Sequence, residues 1–290
     1  MMNSTKVSLL TCAAVASVGL SSGVQAAGVD ADQIHISPVT NPLFFEDPHI
    51  NSEVRPIFAY HNIDESFVTQ GGIARVFAAQ VRWAITDRLA LIATKDGFIS
   101  LHPSKAVPHN DGWADIGAGL KYAVIDDKEN NLIVTPGFKF ELPTGNQRVF
   151  QGNGRGEWDL FVSAAKGYDR LNLTGSVGAR IPNDFSQETA QLHYSAQVDY
   201  VTCQYFIPFV ALNAYTTLNN GRGLGLTHEG YDLINFGASN AAGTTDVTGG
   251  IGFRSRLLSW VDLGVAYERG LTHPQGLFED RYTFDMIFRF

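Results

Sequence analysis

The chain closes on Tyr282-Thr-Phe-Asp-Met-Ile-Phe-Arg-Phe290, where every even position carries an aromatic or large apolar side chain and the odd positions between them are mostly polar. Successive side chains of a β-strand point to opposite faces, so this strand is apolar on one side and wet on the other. Such a strand suits a wall between hydrocarbon and water. The wall must close on itself, because an open edge would leave unpaired backbone N–H and C=O groups in lipid. The expected fold is therefore all-β, a transmembrane antiparallel β-barrel.

The amino-terminal residues agree. Lys6 supplies a short positive region, Val7 to Leu20 is apolar and small, and Val24-Gln25-Ala26 is a cleavage-like triplet with small residues at its ends. Residues 1–26 read as a signal peptide, and the apolar stretch is shorter than the roughly 20 residues of a membrane-spanning helix. Together with the aromatic last residue, this pattern resembles the terminal strand of bacterial outer-membrane barrels. The expected location is the cell outer membrane of a Gram-negative bacterium. Its lipid and the barrel-assembly machinery, which would act through Phe290, are the expected partners. The mean hydropathy of −0.04 does not argue against a membrane, because alternating strands average out their apolar band. The net charge of −8, with no basic run, gives no sign of a nucleic-acid partner.

Period-two segments recur along the chain. Ala190 to Tyr200 puts Leu192, Tyr194, Ala196, Val198 and Tyr200 on one face and Gln191, His193, Ser195, Gln197 and Asp199 on the other. Trp113 to Ile125 sets Ala114, Ile116, Ala118, Leu120, Tyr122 and Val124 against Asp115, Gly117, Gly119 and Lys121, and Leu132 to Leu142 follows with Thr135, Gly137, Lys139 and Glu141 inward. Further strands read at 54–62, 73–85, 89–101, 158–166, 171–181, 205–217, 245–257, 260–269 and the terminal segment. The total is about twelve strands with short turns and long loops in alternation, as an outer-membrane barrel over 54–290 requires. A soluble β-sandwich would explain the alternation alone, but it would bury the aromatic face and needs neither the even count nor the loop asymmetry.

Residues 27–53 read differently. Pro38, Pro42 and Pro48 rule out a regular ladder strand, since proline has no N–H to donate. This proline-containing segment either folds into the lumen as a plug or packs beneath the barrel on the periplasmic side.

His193-Tyr194-Ser195 is the one sequence with a catalytic look, because period two places a base and a hydroxyl on the same face, as in lipid-acting barrel hydrolases. The phase turns both toward the lumen, away from lipid esters, so no catalytic residue is assigned and no enzymatic activity is expected. The eight histidines show no metal-ligand spacing, and the glycine-rich stretches 152–156 and 221–225 lack a strand-to-helix setting with a phosphate-binding lysine. No metal or cofactor is expected. The lumen-facing charges carry the functional reading. Candidates for lining or selectivity are Asp115, Lys121, Lys139, Glu141, Arg180, His193, Asp199, Arg254, Arg256 and Glu268, with Asp159, Asp246, Asp262, Arg281, Asp285 and Arg289 of the same phase. The two signs nearly balance, which favours paired charges across a narrow lumen over a ring of one sign. Lys139 is expected to compensate Glu141.

Gly112-Trp113-Ala114-Asp115-Ile116-Gly117-Ala118-Gly119-Leu120-Lys121-Tyr122 and Thr135-Pro136-Gly137-Phe138-Lys139-Phe140-Glu141-Leu142-Pro143-Thr144-Gly145-Asn146 resemble the outer-membrane proteins of the phenol-degradation meta-pathway family. The resemblance covers the middle third of the chain well and implies a transporter-like barrel for small aromatic or hydrophobic compounds. The expected function is an outer-membrane channel or uptake porin for a small solute. A lipid-acting hydrolase using the His193 and Ser195 pair, and a structural or adhesive barrel acting through the loop 218–244, are the alternatives.

Overall fold

The computed structural model describes residues 35–273 and 276–290; the expected signal peptide, 1–26, lies outside them. Fifteen strand segments form one antiparallel sheet: β1 (Glu53–Ile63), β2 (Gly72–Ala84), β3 (Leu89–Lys95), β4 (Phe98–Pro103), β5 (Asn110–Trp113), β6 (Ile116–Tyr122), β7 (Ile125–Asp127), β8 (Leu132–Leu142), β9 (Glu157–Tyr168), β10 (Leu171–Pro182), β11 (Gln191–Tyr200), β12 (Ile207–Thr217), β13 (Thr245–Leu258), β14 (Val261–Gly270) and β15 (Asp280–Arg289). β15 pairs with β1, placing Phe284 opposite Phe58, and β1 pairs in turn with β2, so the sheet closes. β3 and β4 are two halves of one stave, β5 and β6 are halves of the next, and β7 extends the turn into β8. The barrel therefore has twelve staves.

Its faces are inverted relative to a soluble protein. Val210 and Ile251 on the outer face are 55% and 59% exposed, whereas Arg55, Arg82, Arg180 and Arg254 on the inner face are each less than 2% exposed. A sandwich would bury the first set and expose the second, so this exposure pattern excludes it. Trp83, Phe138, Leu160, Val198 and Phe284 continue the apolar outer belt that hydrocarbon would cover.

Two strands differ from the sequence reading. The segment 89–101 breaks at Asp96-Gly97, where Gly97 takes φ 122° and a Cβ would fall 2.4 Å from the Phe77 carbonyl oxygen, so only glycine fits. Ala114, expected on the outer face, is 7% exposed, and its neighbour Trp113 is 67% exposed instead. Ala114 and Asp115 both turn inward between β5 and β6, a local bulge that aims Asp115 at the loop 143–156. There its Oδ1 accepts from the N–H groups of Gly145 at 2.7 Å and Gly152 at 2.9 Å.

Short turns, the start of β1 and the end of β15 lie at one end of the barrel, and the loops 64–71, 104–109, 143–156, 183–190, 218–244 and, of the last, residues 271–273 and 276–279 lie at the other. The segment 35–52 enters the lumen from the short-turn end and returns there. The His35 and His49 rings stand 4.6 Å apart beside the turn 126–131. The apex is a tight turn in which the Phe45 N–H donates to the Asn41 carbonyl at 2.9 Å. Ile36, Val39, Phe44 and Phe45 are all buried there.

Candidate functional site

The inner wall carries charges because period two forces every second residue inward, and most of them meet a partner. The nearest partner is the residue directly opposite on the next strand, with Cβ atoms about 5 Å apart. Lys139 stands opposite Asp159 and pairs with it at 2.8 Å. This corrects the expectation that Lys139 compensates Glu141, which is two residues along the same strand. Glu141 pairs with Lys95, which no sequence signal had selected.

Lys95 reaches Glu141 over a glycine. Lys95, Gly117 and Glu141 stand in one row across β3, β6 and β8, and a Cβ on Gly117 would lie 3.1 Å from the Lys95 Cβ. The same device recurs at Arg254, Gly264 and Asp285 on β13, β14 and β15. Arg254 Nη1 donates to Asp285 Oδ1 at 2.8 Å across the bare glycine, where a Cβ would sit 2.4 Å from that oxygen. His193 leans over Gly178 to bring Nε2 to 2.7 Å from Asp159 Oδ1. Outer staves of such a row lie roughly 10 Å apart, so only an empty middle position lets long side chains meet.

The remaining polar capacity goes to the segment 35–52. Lys121 Nζ donates to Glu46 Oε1 at 2.8 Å and to the Asp47 carbonyl at 2.6 Å. Arg82 forks onto both Glu46 oxygens at 2.7 Å and reaches Glu53 at 3.3 Å. Burial alone would raise the Glu46 carboxyl, but Arg82 and then Lys121 outweigh it and hold it at about 2. Main-chain carbonyls of the segment accept from the wall at every level. Arg254 Nε meets Ser37 at 2.9 Å, Arg55 meets Pro38 at 2.7 Å, Gln80 meets Pro42 at 2.7 Å, Lys139 meets Leu43 at 2.5 Å and Thr135 meets Pro48 at 2.7 Å. The prolines matter here: a chain that cannot pair as a strand keeps its carbonyls free for wall cations.

The other selectivity candidates fall into place around this plug. Arg256 pairs with Asp262 at 3.0 Å and donates to the His35 carbonyl at 3.2 Å, and Glu268 pairs with Arg281 and accepts from the Asn41 N–H at 3.4 Å. Arg180 pairs with Glu157 and lies over the Phe44 ring at 5.6 Å, and Asp199 accepts from Asn172 at 2.9 Å and from Gln197 at 3.3 Å. Asp115 anchors a loop. His193 stacks on Phe44 at 4.6 Å, while the Ser195 hydroxyl accepts from Asn41 Nδ2 at 3.0 Å, so the two hold different partners inside the lumen. Arg55 and Arg82 could have been found from the period-two phase of their strands, whereas Glu46 sits in a segment with no periodicity to read.

One side of the barrel is built differently. β2 pairs with β3 only from Val81 and with β4 only as far as Phe77, leaving Ala78 to Gln80 without ladder partners on that side. Pro56 has no N–H to offer on β1, and Asp96 Oδ1 accepts from the Ala79 N–H at 3.1 Å in place of a strand. Outside this stretch lies an apolar cavity of about 960 Å³, floored by Ile57, Ala78, Asp96 and Ala114 and walled by Phe58, Phe77, Trp113 and Phe284. The four floor residues also line a cavity of about 70 Å³ on the lumen side, beside Pro42 and Leu43.

A closed barrel of twelve staves with an apolar outer belt and a charged, plugged interior is a barrel of the outer-membrane type. Among solved structures it is similar to an outer membrane channel, COG4313, from Pseudomonas putida F1, with TM-score 0.60, 14% identity, and coverage of 88% of this chain and 100% of that one. It is also similar to the NanC porin, with TM-score 0.54, 11% identity, and coverage of 82% and 100%. At such identities the likeness is one of fold. No protein-family model and no curated protein matches the chain.

Proposed function

We propose that the protein is an outer-membrane uptake channel for small apolar or aromatic solutes. The carrying observation is the contrast between its two interiors. The polar lumen is filled by the segment 35–52 and its ion pairs, while the outer-wall cavity beside β1, β2 and β4 is mostly apolar and shares Ile57, Ala78, Asp96 and Ala114 with a small lumen-side cavity of mixed lining that includes Gln80, Lys95, Asp232 and Arg281. A hydrated solute would have to displace charge-assisted hydrogen bonds at several levels. An apolar solute in the outer-wall cavity meets mostly side chains that lose nothing by touching it. The likeness of 112–122 and 135–146 to the phenol-degradation outer-membrane proteins supports the same solute class. The experiment compares two readouts. Purified protein in planar bilayers should show small conductance, and cells carrying it should take up toluene faster than cells without it. Swelling of liposomes by small sugars at the rate of a general porin would overturn the assignment.

A further inference from the structure

The loops at the far end enclose a cavity that the transport reading does not use. It has a volume of about 230 Å³ and is lined almost wholly by apolar side chains, among them Phe67, Phe150, Leu226, Ile234, Phe236 and Leu277. Phe236 is its centre, with ring centroids 5.4 Å from Phe150 and 6.0 Å from Phe67. Val68 lines the cavity and is 56% exposed, so the site lies close to the outside. An engineered cavity of about 150 Å³ with similar lining takes up benzene, so this volume suits one substituted ring.

One polar side chain lines this cavity and is left over. Thr69 is 6% exposed, and its hydroxyl has no hydrogen-bond partner. Thr94, another hydroxyl without a partner, lines the lumen cavity beside Gln80, Lys95 and Asp96, where water finds partners. Next to Thr69 the lining is apolar, and a water needs several polar partners to be held. Thr69 is also held in place, because its carbonyl accepts from the Lys105 N–H at 2.9 Å and the Ser104 N–H donates to the Gly71 carbonyl at 3.0 Å. A buried hydroxyl fixed beside an empty apolar volume costs free energy until something hydrogen-bonds to it.

We propose that this loop cavity is a binding site for a small neutral aromatic molecule bearing one hydroxyl or carbonyl group, with Thr69 as its hydrogen-bond partner. The ring fills the space against Phe236 and Ile234, and the single polar group meets Oγ1, which is sealed in the empty site and which a turn about χ1 brings to the cavity. The site also adjoins the apolar core that packs beneath it. Phe67, Ile234, Phe236 and Leu277 belong to one packed cluster with Ile99 and Ala114, and Ala114 lines both the lumen and outer-wall cavities. As the capture point of an uptake route, the site rests on the proposed transport function; as a binding site, it stands on its own geometry.

The test uses the full chain in lipid nanodiscs and 19F NMR titration of 4-fluorobenzyl alcohol and 4-fluorotoluene, which differ by the hydroxyl. Thr69→Val keeps the shape and removes the partner. It should weaken the alcohol about fivefold, the worth of one ordinary hydrogen bond, and leave 4-fluorotoluene within about twofold. Thr69→Ser should restore the preference. Leu226→Trp fills the cavity and should reduce both ligands to the background of lipid partitioning. Correct folding of each variant is checked by the heat-dependent gel shift of a closed barrel. Unchanged alcohol affinity in Thr69→Val, or retained binding of both ligands in folded Leu226→Trp, overturns the site. If the site fails while cells still gain toluene uptake, the transport reading survives. If ligands bind as expected and uptake is unchanged, the transport reading falls and the site stands.

Discussion

The wall from β9 to β12 and the wall from β2 to β6 are made of the same kind of strand and behave differently. β9 and β10 pair without a break from Tyr168 opposite Leu171 to Glu157 opposite Pro182, and their inward faces hold Glu157, Asp159, Arg180 and, on β11, His193. β2 changes partner midway between β3 and β4, and the inward residues there include Ala74, Ile99 and Ala114. Regular pairing places charges in rows where they find one another and hold the plug. Where the ladder is interrupted at Asp96-Gly97, Val76, Ala78, Ile99 and Ala114 line the break and cavities remain, while Arg82 and Lys121 of the same arc still hold Glu46. The plug is held from around the circumference, and apolar space remains beside the break in the ladder.

The sharpest way to break this comparison is to remove a shared anion from the ordered rows. Asp285 serves both Arg55, through Nε at 2.8 Å, and Arg254. Asp285→Leu should cost about 3 to 5 kcal/mol, because it leaves two guanidinium groups buried without their counter-charge. Reversible unfolding from lipid measures it; a loss below about 1 kcal/mol would mean that the rows do not carry the fold.

Next in size is a test of the faces themselves. Val198→Arg puts a charge against hydrocarbon and should cost about 2 to 4 kcal/mol near the midplane, whereas Gln197→Arg, one residue away, faces Asp199 in the lumen and should cost much less. Equal costs would refute the phase of β11.

The plug gives a smaller effect on stability and a larger one on conductance. Glu46→Gln leaves Lys121 without its carboxylate and Arg82 with Glu53 alone, should lower stability by about 1 to 3 kcal/mol, and should raise single-channel conductance. Acid should act in the same direction. Since the folded Glu46 carboxyl is depressed to about 2 from an ordinary 4.5, its contribution is complete above about pH 4.5 and is lost as pH falls toward 2. Conductance recorded across that window should rise, and the rise should be absent in Glu46→Gln.

The smallest change is expected in the irregular arc. Ala78→Leu adds side-chain bulk to the floor shared by the outer and lumen cavities, and should shift stability by less than about 1 kcal/mol while slowing uptake of toluene several-fold. An unchanged uptake rate at wild-type stability would separate the cavity from transport.

The barrel, its strand number and its two faces were legible in the sequence because period two is a local property. Tyr282 to Phe290 and Ala190 to Tyr200 declare which side chains meet lipid without reference to any other part of the chain. The inward position of Lys121, Lys139, Arg180 and Arg254 follows from the same rule. Their partners did not, because a partner is set by register with another strand. Lys139 meets Asp159 and Lys95 meets Glu141 only once β3, β6, β8 and β9 are aligned and Gly117 leaves a gap. The proline-containing segment was visible as something other than a strand, yet its seat in the lumen depends on carbonyl acceptors that every sequence possesses and only this interior satisfies. The cavities lie further still from sequence, since they arise where the ladder between β2 and its neighbours fails and where five separate loops converge. Local alternation decided the wall, and long-range register and packing decided what the wall encloses.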